Sequence, residues 1–432
     1  MNEQPTRLTA TETAARLGVK SATLYAYVSR GLLSRERGAH GSTFDPIEVE
    51  RFAATRRRGS ADNPAVVIKD GRPTGGPLMT IDTDIALIED GELYYRGRSA
   101  AELATTSTFE SVCGWLWTGQ WDPSLRFRPL PGAVAAVRPV LLALPPATPL
   151  TDRIRIVVPI LAGADPLRDV LERVSVAHRA GALISTAAEV IGVRDDHEHG
   201  REEAIPGQAR DPRVAQAPVQ PSSVADLLAR ALAPHADDHE ALVGVVNAAL
   251  VMLVDHDLAV STLAARAAAS ARANPYAVVI SGLGALDSAL HGNASRAAYR
   301  MLAAVAAGES PRQVIATTIA SGRGGVPGFG HRIYTDVDPR AELIMELLGR
   351  LPDSESSLAA ADALTAVVGD HGGSFRNVDL ALAALTLAAR MPEEAGEVIF
   401  ALARTGGWIA HAIDEYAQPP LRLRPVGHYV GP

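Results

Sequence analysis

The spacing of hydrophobic and polar positions divides the chain into a short N-terminal part and a long helical part. Residues 83–96 alternate between apolar and polar side chains around Glu89-Asp90-Gly91, which predicts a β-hairpin with a tight turn. Beyond this hairpin, apolar positions recur with the period of an amphipathic helix almost to the C-terminus. Two breaks, at 145–149 and at the polar, Pro-rich segment 194–223, predict loops. The pattern therefore predicts a mainly α-helical protein.

The first 58 residues begin with the signals of a short helix. Thr9 and Glu12 form a capping-box pattern that predicts a helix over 12–17, and Gly18 ends it.

A second short helix is predicted over 22–30, with Ser21 as its N-cap and Gly31 just beyond its end. Five residues of this region are predicted to form a small core, namely Ala14, Leu17, Val19, Leu24 and Val28. Five residues of the second helix are predicted to point outward, namely Ala22, Thr23, Tyr25, Tyr27 and Arg30.

A hairpin-like wing over 33–44 and a third helix from Asp45-Pro46 to residue 58 complete this part. The order of elements resembles the winged-helix heads of mercury-resistance (MerR) regulators and excisionases. That resemblance implies that the second helix enters the DNA major groove and that the wing contacts phosphates. It assigns DNA binding to Thr23, Tyr25, Arg30, Arg35 and Arg37. The alternative is a helical dimerisation or docking module that does not bind DNA.

Charge is distributed unevenly along the 432 residues. The first 59 residues carry ten basic and six acidic side chains, a net charge of +4, whereas the rest carries 31 and 43, a net charge of −12. A small basic head on a large acidic body indicates two tasks, of which only one can involve nucleic acid.

Composition excludes several kinds of site. Cys113 is the single cysteine, so neither an intramolecular disulfide nor a cysteine-based metal site can form. His235 and His239 have helical i, i+4 spacing, but we interpret them as a solvated helix start, and no metal is expected. The chain lacks an apolar signal core and any uninterrupted apolar run of roughly 18 residues, so a cytoplasmic protein without a membrane span is expected.

Three separate stretches of the helical part concentrate reactive side chains. His291 lies between predicted helices over 276–290 and 295–306, where the positive end of a helix dipole favours a neutral imidazole. A neutral imidazole can donate a hydrogen bond to a carbonyl that is becoming an enolate. His331 directly follows the glycines of a loop, and Asp379 is a candidate base at a helix start.

Taken together and in this order, these stretches resemble the citrate synthase family from about Thr80 to the C-terminus. The hairpin, Asp255-His256-Asp257 and the segments 403–411 and 424–431 belong to the same resemblance. It implies a mainly helical homodimer with a large and a small domain that close over the substrates. The implied organisation is a winged helix-turn-helix head over 1–58, a linker over 59–77, a large domain over 78–295 and 396–432, and a small domain over 296–395.

The resemblance implies an acyltransferase that condenses acetyl-CoA with oxaloacetate and water to give citrate and CoA, without a cofactor. Asp379 would remove a methyl proton from acetyl-CoA, His291 would stabilise the enol, and His331 would polarise the ketone of oxaloacetate. Because oxaloacetate is a dianion, several groups must hold its carboxylates. The resemblance assigns that role to His256, Arg340, Arg404 and Arg424, the last contributed by a partner subunit. Arg376 is the candidate for binding CoA.

Departures from the family pattern concentrate where CoA is expected to bind. Asn293 stands where a glycine is usual, and Thr335 and Val426 stand where basic residues are common. These changes leave acetyl-CoA and propionyl-CoA as alternative substrates, the latter for a 2-methylcitrate synthase. They also keep a second hypothesis open, a DNA-binding transcription regulator with a synthase-like body that senses ligands.

Overall fold

The protein is described by a computed structural model. It describes residues 7–38, 41–59, 68, 69, 72, 73, 80–193, 222–288, 292, 294–321, 325–370, 374–426, 428, 429 and 431. Helices dominate, which confirms the prediction of a mainly α-helical protein. Within the described residues, no helix is both long and apolar enough to cross a bilayer.

The N-terminal part combines three helices with a small antiparallel sheet of strand order β1-β3-β2. Its elements are β1 (Leu8–Thr9), α1 (Ala10–Leu17), α2 (Ser21–Ser29), β2 (Glu36–Gly38), β3 (Gly41–Phe44) and α3 (Pro46–Gly59). The predicted capping box is confirmed, because the Glu12 amide donates to Thr9 Oγ1 at 3.2 Å and the Thr9 amide donates to Glu12 Oε2 at 2.8 Å. The N-cap of α2 is Lys20, so the prediction of Ser21 was one residue late.

All five predicted core residues of this part pack in its apolar cluster, together with Leu8, Leu33, Phe44, Val49 and Ala53. One outward prediction was wrong. Tyr27 packs against this core, with its ring 4.9 Å from that of Phe52, because α3 covers its side of α2.

The helical part begins with the predicted hairpin, whose register pairs Glu89 with Glu92 across a two-residue turn. Asp90 and Gly91 both have positive φ, 49° and 79°, as a type I′ turn requires. Two short strands lie in the predicted linker, β4 (Ile68–Lys69) and β5 (Arg72–Pro73). The hairpin and the residues after it contain β6 (Ala86–Glu89), β7 (Glu92–Tyr95) and β8 (Arg98–Ser99).

The described chain divides into two compact units. The first unit comprises Met1–Asp84, Ala294–Gly349 and Asp353–Ala388, and the second comprises Ile85–Asn293, Arg350–Pro352 and Ala389–Pro432. Beyond the N-terminal elements, the helices of the first unit are α13 (Ala294–Ala306), α14 (Pro311–Ala320), α15 (Pro339–Leu348), α16 (Glu355–Asp370) and α17 (Val378–Ala388). Within this unit α17 packs against α13, α15 and α16.

The second unit is built around one long helix that is buried on nearly all sides. This is α18 (Ala395–Tyr416), which packs against α5, α7, α8, α10, α11 and α12. The other helices of the unit are α4 (Ala100–Thr106), α5 (Phe109–Thr118), α6 (Ala133–Leu142), α7 (Leu150–Ala164), α8 (Arg173–Val190), α9 (Val224–Leu232), α10 (His239–Leu253), α11 (Val260–Ser270) and α12 (Pro275–Leu286). The predicted loop at 145–149 lies between α6 and α7, whereas residues 194–221 lie outside the described part.

The N-terminal helices pack on the rest of the first unit through α3 and α14. Arg16 donates to the carbonyl oxygen of Ile319 at 3.0 Å and pairs with Glu50 at 3.1 Å. Asp45 forms an ion pair with Arg312 at the start of α14. The N-terminal elements are therefore held against α14.

Candidate active site

Two loops of the first unit, 326–334 and 374–377, are held together by hydrogen bonds. The Gly330 amide donates to the carbonyl oxygen of Phe375 at 2.8 Å. In the other direction, the Asn377 side-chain amide donates to the Gly330 carbonyl oxygen at 2.8 Å. This pairing brings the loop of one candidate histidine against the loop that leads to the candidate acid.

Gly328 is required by this contact for two reasons. Its φ of +82° lies in the left-handed region, and a Cβ built there would lie 2.9 Å from the Cβ of Leu380 and 3.2 Å from that of Ala298. A side chain at this position would push the histidine loop away from the first turn of α17.

The imidazole of His331 is held in one tautomer. Its Nδ1 accepts hydrogen bonds from the amides of Ile333 at 3.0 Å and Tyr334 at 3.2 Å, which leaves the proton on Nε2. Burial lowers the pKa of His331 to about 4, helped by the charge of Arg340 and opposed by that of Asp338. A neutral imidazole with its proton on Nε2 can donate a hydrogen bond to a carbonyl oxygen at pH 7.

A buried pair, Asp338 and Arg340, lies beside this histidine. Arg340 donates through Nε and Nη2 to the two carboxylate oxygens of Asp338 at 2.9 and 2.8 Å. Asp338 also accepts from the Val378 amide at 3.0 Å, which ties α15 to the start of α17. Burial alone would raise the pKa of Asp338, but Arg340 and these hydrogen bonds hold it below its ordinary value. The sequence alone did not predict a role for Asp338.

Asp379 lies in the first turn of α17, where it is half-buried. Its amide donates to Asn377 Oδ1 at 3.0 Å, so the loop pairing also fixes the entry to this helix. Burial alone would lower the pKa of Arg340, but the charge and hydrogen bonds of Asp338 raise it, with a smaller contribution from the charge of Asp379. His331, Arg340 and Asp379 therefore meet in one unit although 48 positions separate the first from the last.

Arg376, the candidate for CoA, is already paired with two carboxylates. It donates to both oxygens of Glu342 at 2.6 Å and to Asp362 at 3.2 Å. The hydrogen bonds with Glu342 raise the pKa of Arg376. A phosphate at this guanidinium would have to compete with both acids.

In the second unit, Arg404 lies in the middle of α18 and is buried. Its Nε donates to the Leu253 carbonyl oxygen at 2.9 Å, and its guanidinium lies 4.8 Å from the ring centre of Phe400. This bond places Arg404 beside the turn after α10 that carries the buried His256. Arg424 follows α18 and is exposed.

The glycine pair after Arg404 allows this close approach. A Cβ on Gly407 would lie 2.2 Å from the carbonyl oxygen of Val254, and one on Gly406 would lie 2.6 Å from the Sγ of Cys113. Two adjacent glycines within a predicted helix indicate such a close approach, because glycine is otherwise unfavourable in a helix.

The remaining predicted positions are two that lie outside the described residues and two that are exposed. His291 and Asn293 lie outside the described residues, between α12 and α13. Thr335 and Val426 are both exposed, the latter at 97%. In the part of the chain that the structure describes, no three His, Cys, Asp or Glu side chains are grouped to hold a metal ion.

Comparison with known proteins identifies the family. Residues 77–425 match the family model described as "Citrate synthase, C-terminal domain". The chain belongs to the citrate synthase family. This match covers most of the second unit and the part of the first unit that follows residue 76, but not the N-terminal elements α1 to α3.

Sequence relatives carry the same family name. The chain is 33% identical over 199 residues to the citrate synthase of Haloferax volcanii, covering 45% of this chain and 52% of that protein. It is 30% identical over 193 residues to citrate synthase 2 of Bacillus subtilis, covering 43% of this chain and 50% of that protein. The chain thus spans about half the length of these relatives.

Solved citrate synthase structures share the fold. The Thermotoga maritima enzyme matches with a TM-score of 0.62 at 24% identity over 82% of this chain and 94% of that one. A Thermoplasma acidophilum ternary complex with carboxymethyl coenzyme A and oxaloacetate matches with a TM-score of 0.63 at 23% identity, with the same coverage. At these identities, the likeness establishes the citrate synthase fold.

Proposed function

We propose that this protein condenses acetyl-CoA with oxaloacetate and water to give citrate and CoA. The observation that carries the proposal is that His331, Arg340 and Asp379 lie in one unit. The loop of His331 is hydrogen-bonded to the loop that leads to Asp379, and the charge of Arg340 acts on both side chains. The relatives reported above are all synthases by name, which favours an enzyme over a ligand-sensing regulator.

In the proposed reaction, the Asp379 carboxylate takes a proton from the acetyl methyl group, and His291 donates a hydrogen bond to the thioester oxygen of the enol. The Nε2–H of His331 polarises the ketone of oxaloacetate, whose carbon the enol attacks. His256, Arg340, Arg404 and Arg424 bind the oxaloacetate carboxylates. Water then cleaves the citryl-CoA thioester, which releases citrate and CoA.

We also propose a homodimer and a CoA contact at Arg376. Arg424 is exposed in the single chain, which suits a residue contributed to the active site of a partner subunit.

The activity is tested by following thiol release from acetyl-CoA in the presence of oxaloacetate. We expect turnover that needs both substrates, with acetyl-CoA used at a higher kcat/KM than propionyl-CoA. A preference for propionyl-CoA would assign a 2-methylcitrate synthase instead. Absence of oxaloacetate-dependent thiol release with both acyl-CoA substrates would overturn the proposal.

We further propose that the N-terminal elements form a winged helix that binds DNA. The supporting observation is that α3 and Arg16 contact the rest of the unit, while Tyr25 on α2 is 40% exposed. The Arg35 guanidinium lies 5.6 Å from the centre of the Tyr25 ring, and Arg30 and Arg37 are also exposed. These side chains are available to phosphates and base edges.

Gel retardation with random-sequence DNA tests this second function. We expect retardation at low salt that weakens steeply as salt rises, and a loss of roughly tenfold in affinity for Arg30→Ala. Arg138→Ala, which removes an exposed arginine of α6, is the matched control and should bind as the parent does. No retardation by the parent at low salt would exclude DNA binding.

A further inference from the structure

A continuous chain of polar side chains, all buried except Arg422 at one end, runs through the second unit. His411 Nε2 lies 3.1 Å from Asp255 Oδ2, and Arg266 Nη1 lies 2.9 Å from His411 Nδ1. Arg266 Nη2 also donates to Glu415 at 2.9 Å, and Arg422 donates to both oxygens of Glu415 at 2.8 and 2.6 Å. We call these five residues the buried polar chain.

The donor and acceptor groups allow only one direction of hydrogen bonding between Arg266, His411 and Asp255. A guanidinium only donates, so His411 Nδ1 must accept from Arg266. The imidazole proton therefore lies on Nε2 and points to Asp255. Two carboxylates, two guanidinium groups and one neutral imidazole balance in charge, as burial requires.

The buried polar chain ends next to residues proposed to bind oxaloacetate. Asp255 directly precedes His256, and Arg422 lies two positions before Arg424. His411 and Glu415 lie on α18, the helix that carries Arg404. The buried polar chain therefore links the three segments that carry His256, Arg404 and Arg424.

The fit around Asp255 is tight. Its Oδ1 has no hydrogen-bond partner among the described residues, and a Cβ on Gly407 would lie 2.9 Å from it. Among the described residues, His411 supplies the hydrogen bond that orients this fully buried carboxylate. Apolar side chains often stabilise a core as well as buried ions do, so the value of this chain lies in fixing position.

We propose that His411 is a positioning residue for oxaloacetate binding, which orients His256 through Asp255 and fixes the C-terminal segment of Arg424 through Arg266 and Glu415. This inference rests on the proposed function. It assigns a role in substrate affinity to a residue that touches no substrate.

The test compares His411→Leu, which removes both hydrogen bonds, with His411→Gln, whose amide offers an acceptor and a donor at similar spacing. We expect His411→Leu to raise the KM for oxaloacetate by about tenfold or more, with the KM for acetyl-CoA changed less than twofold. His411→Gln is expected to recover most of the affinity. Partial unfolding cannot imitate this result, because KM does not depend on the concentration of folded enzyme.

The matched control is Arg179→Leu. Arg179 forms a buried ion pair with Asp165 at 2.6 Å in the same unit, and Asp165 also accepts from Tyr276. Its loss should lower the melting temperature and leave the KM for oxaloacetate unchanged. If His411→Leu does not fold, Arg422→Gln at the half-exposed end of the buried polar chain takes its place.

An active wild type with an unchanged oxaloacetate KM in the variant measured would overturn this inference and leave the proposed function intact. A wild type without oxaloacetate-dependent turnover would overturn both.

Discussion

Asp379→Asn is expected to lower kcat by about a thousandfold, within the range of 10²–10⁴ that general base catalysis contributes. The amide keeps the volume of the carboxylate but has no lone pair basic enough to take a methyl proton. His331 and Arg340 keep their own contacts in this variant, so the KM for oxaloacetate should change little. Steady-state kinetics at saturating acetyl-CoA and oxaloacetate measure both constants.

Glu355→Gln supplies the control for this experiment. Both acids lie in the first turn of a helix of the first unit, so both substitutions remove the same favourable interaction with the helix dipole. Glu355 is exposed and carries no proposed role. Retention of more than a tenth of the wild-type kcat by Asp379→Asn would exclude this carboxylate as the base.

Local chemistry was enough to predict the elements that depend on nearest neighbours in sequence. The capping box at Thr9, the Asp90-Gly91 turn and the helix starts near Ala294 and Val378 each follow from a few adjacent residues. The packing of the N-terminal elements on α14 was not predicted, because contacts such as Arg16 with Ile319 and Asp45 with Arg312 join residues about 270 to 300 positions apart. Tyr27 was misplaced for the same reason, since its partner Phe52 lies on another helix.

In the candidate site, too, the sequence predicted individual residues but not their contacts with residues distant in sequence. Family resemblance was sufficient to single out His331, Arg340 and Asp379, and the structure brings these three together. It did not show that Arg376 faces Glu342, 34 positions away, which bears directly on how CoA is held. A contact such as that between Arg376 and Glu342 leaves no periodic pattern in the sequence, because a single hydrogen bond constrains only two positions of the chain.

Asp338→Ala is expected to lower the free energy of unfolding by about 3–5 kcal/mol, the usual cost of leaving one member of a buried ion pair without its partner. Arg340 is buried and would lose both hydrogen bonds to the carboxylate, while α15 would lose its N-cap and Val378 an acceptor. Urea denaturation followed by circular dichroism measures the change.

Asp152→Ala tests whether burial of the ion pair is the cause of the large loss of stability expected for Asp338→Ala. Asp152 pairs with Arg155 at 2.6 Å, as short as a buried pair, but its side chain is 41% exposed, and such pairs contribute roughly 0–1 kcal/mol.

Asp338→Asn separates two roles of Asp338, because the amide oxygen still caps α15 while the charge is lost. It should fall between the wild type and the alanine variant in stability, and its KM for oxaloacetate should rise because the guanidinium of Arg340 is no longer held in one plane. A loss below 1 kcal/mol in Asp338→Ala would show that Arg340 finds another partner, and its role in binding oxaloacetate would then need a different geometry.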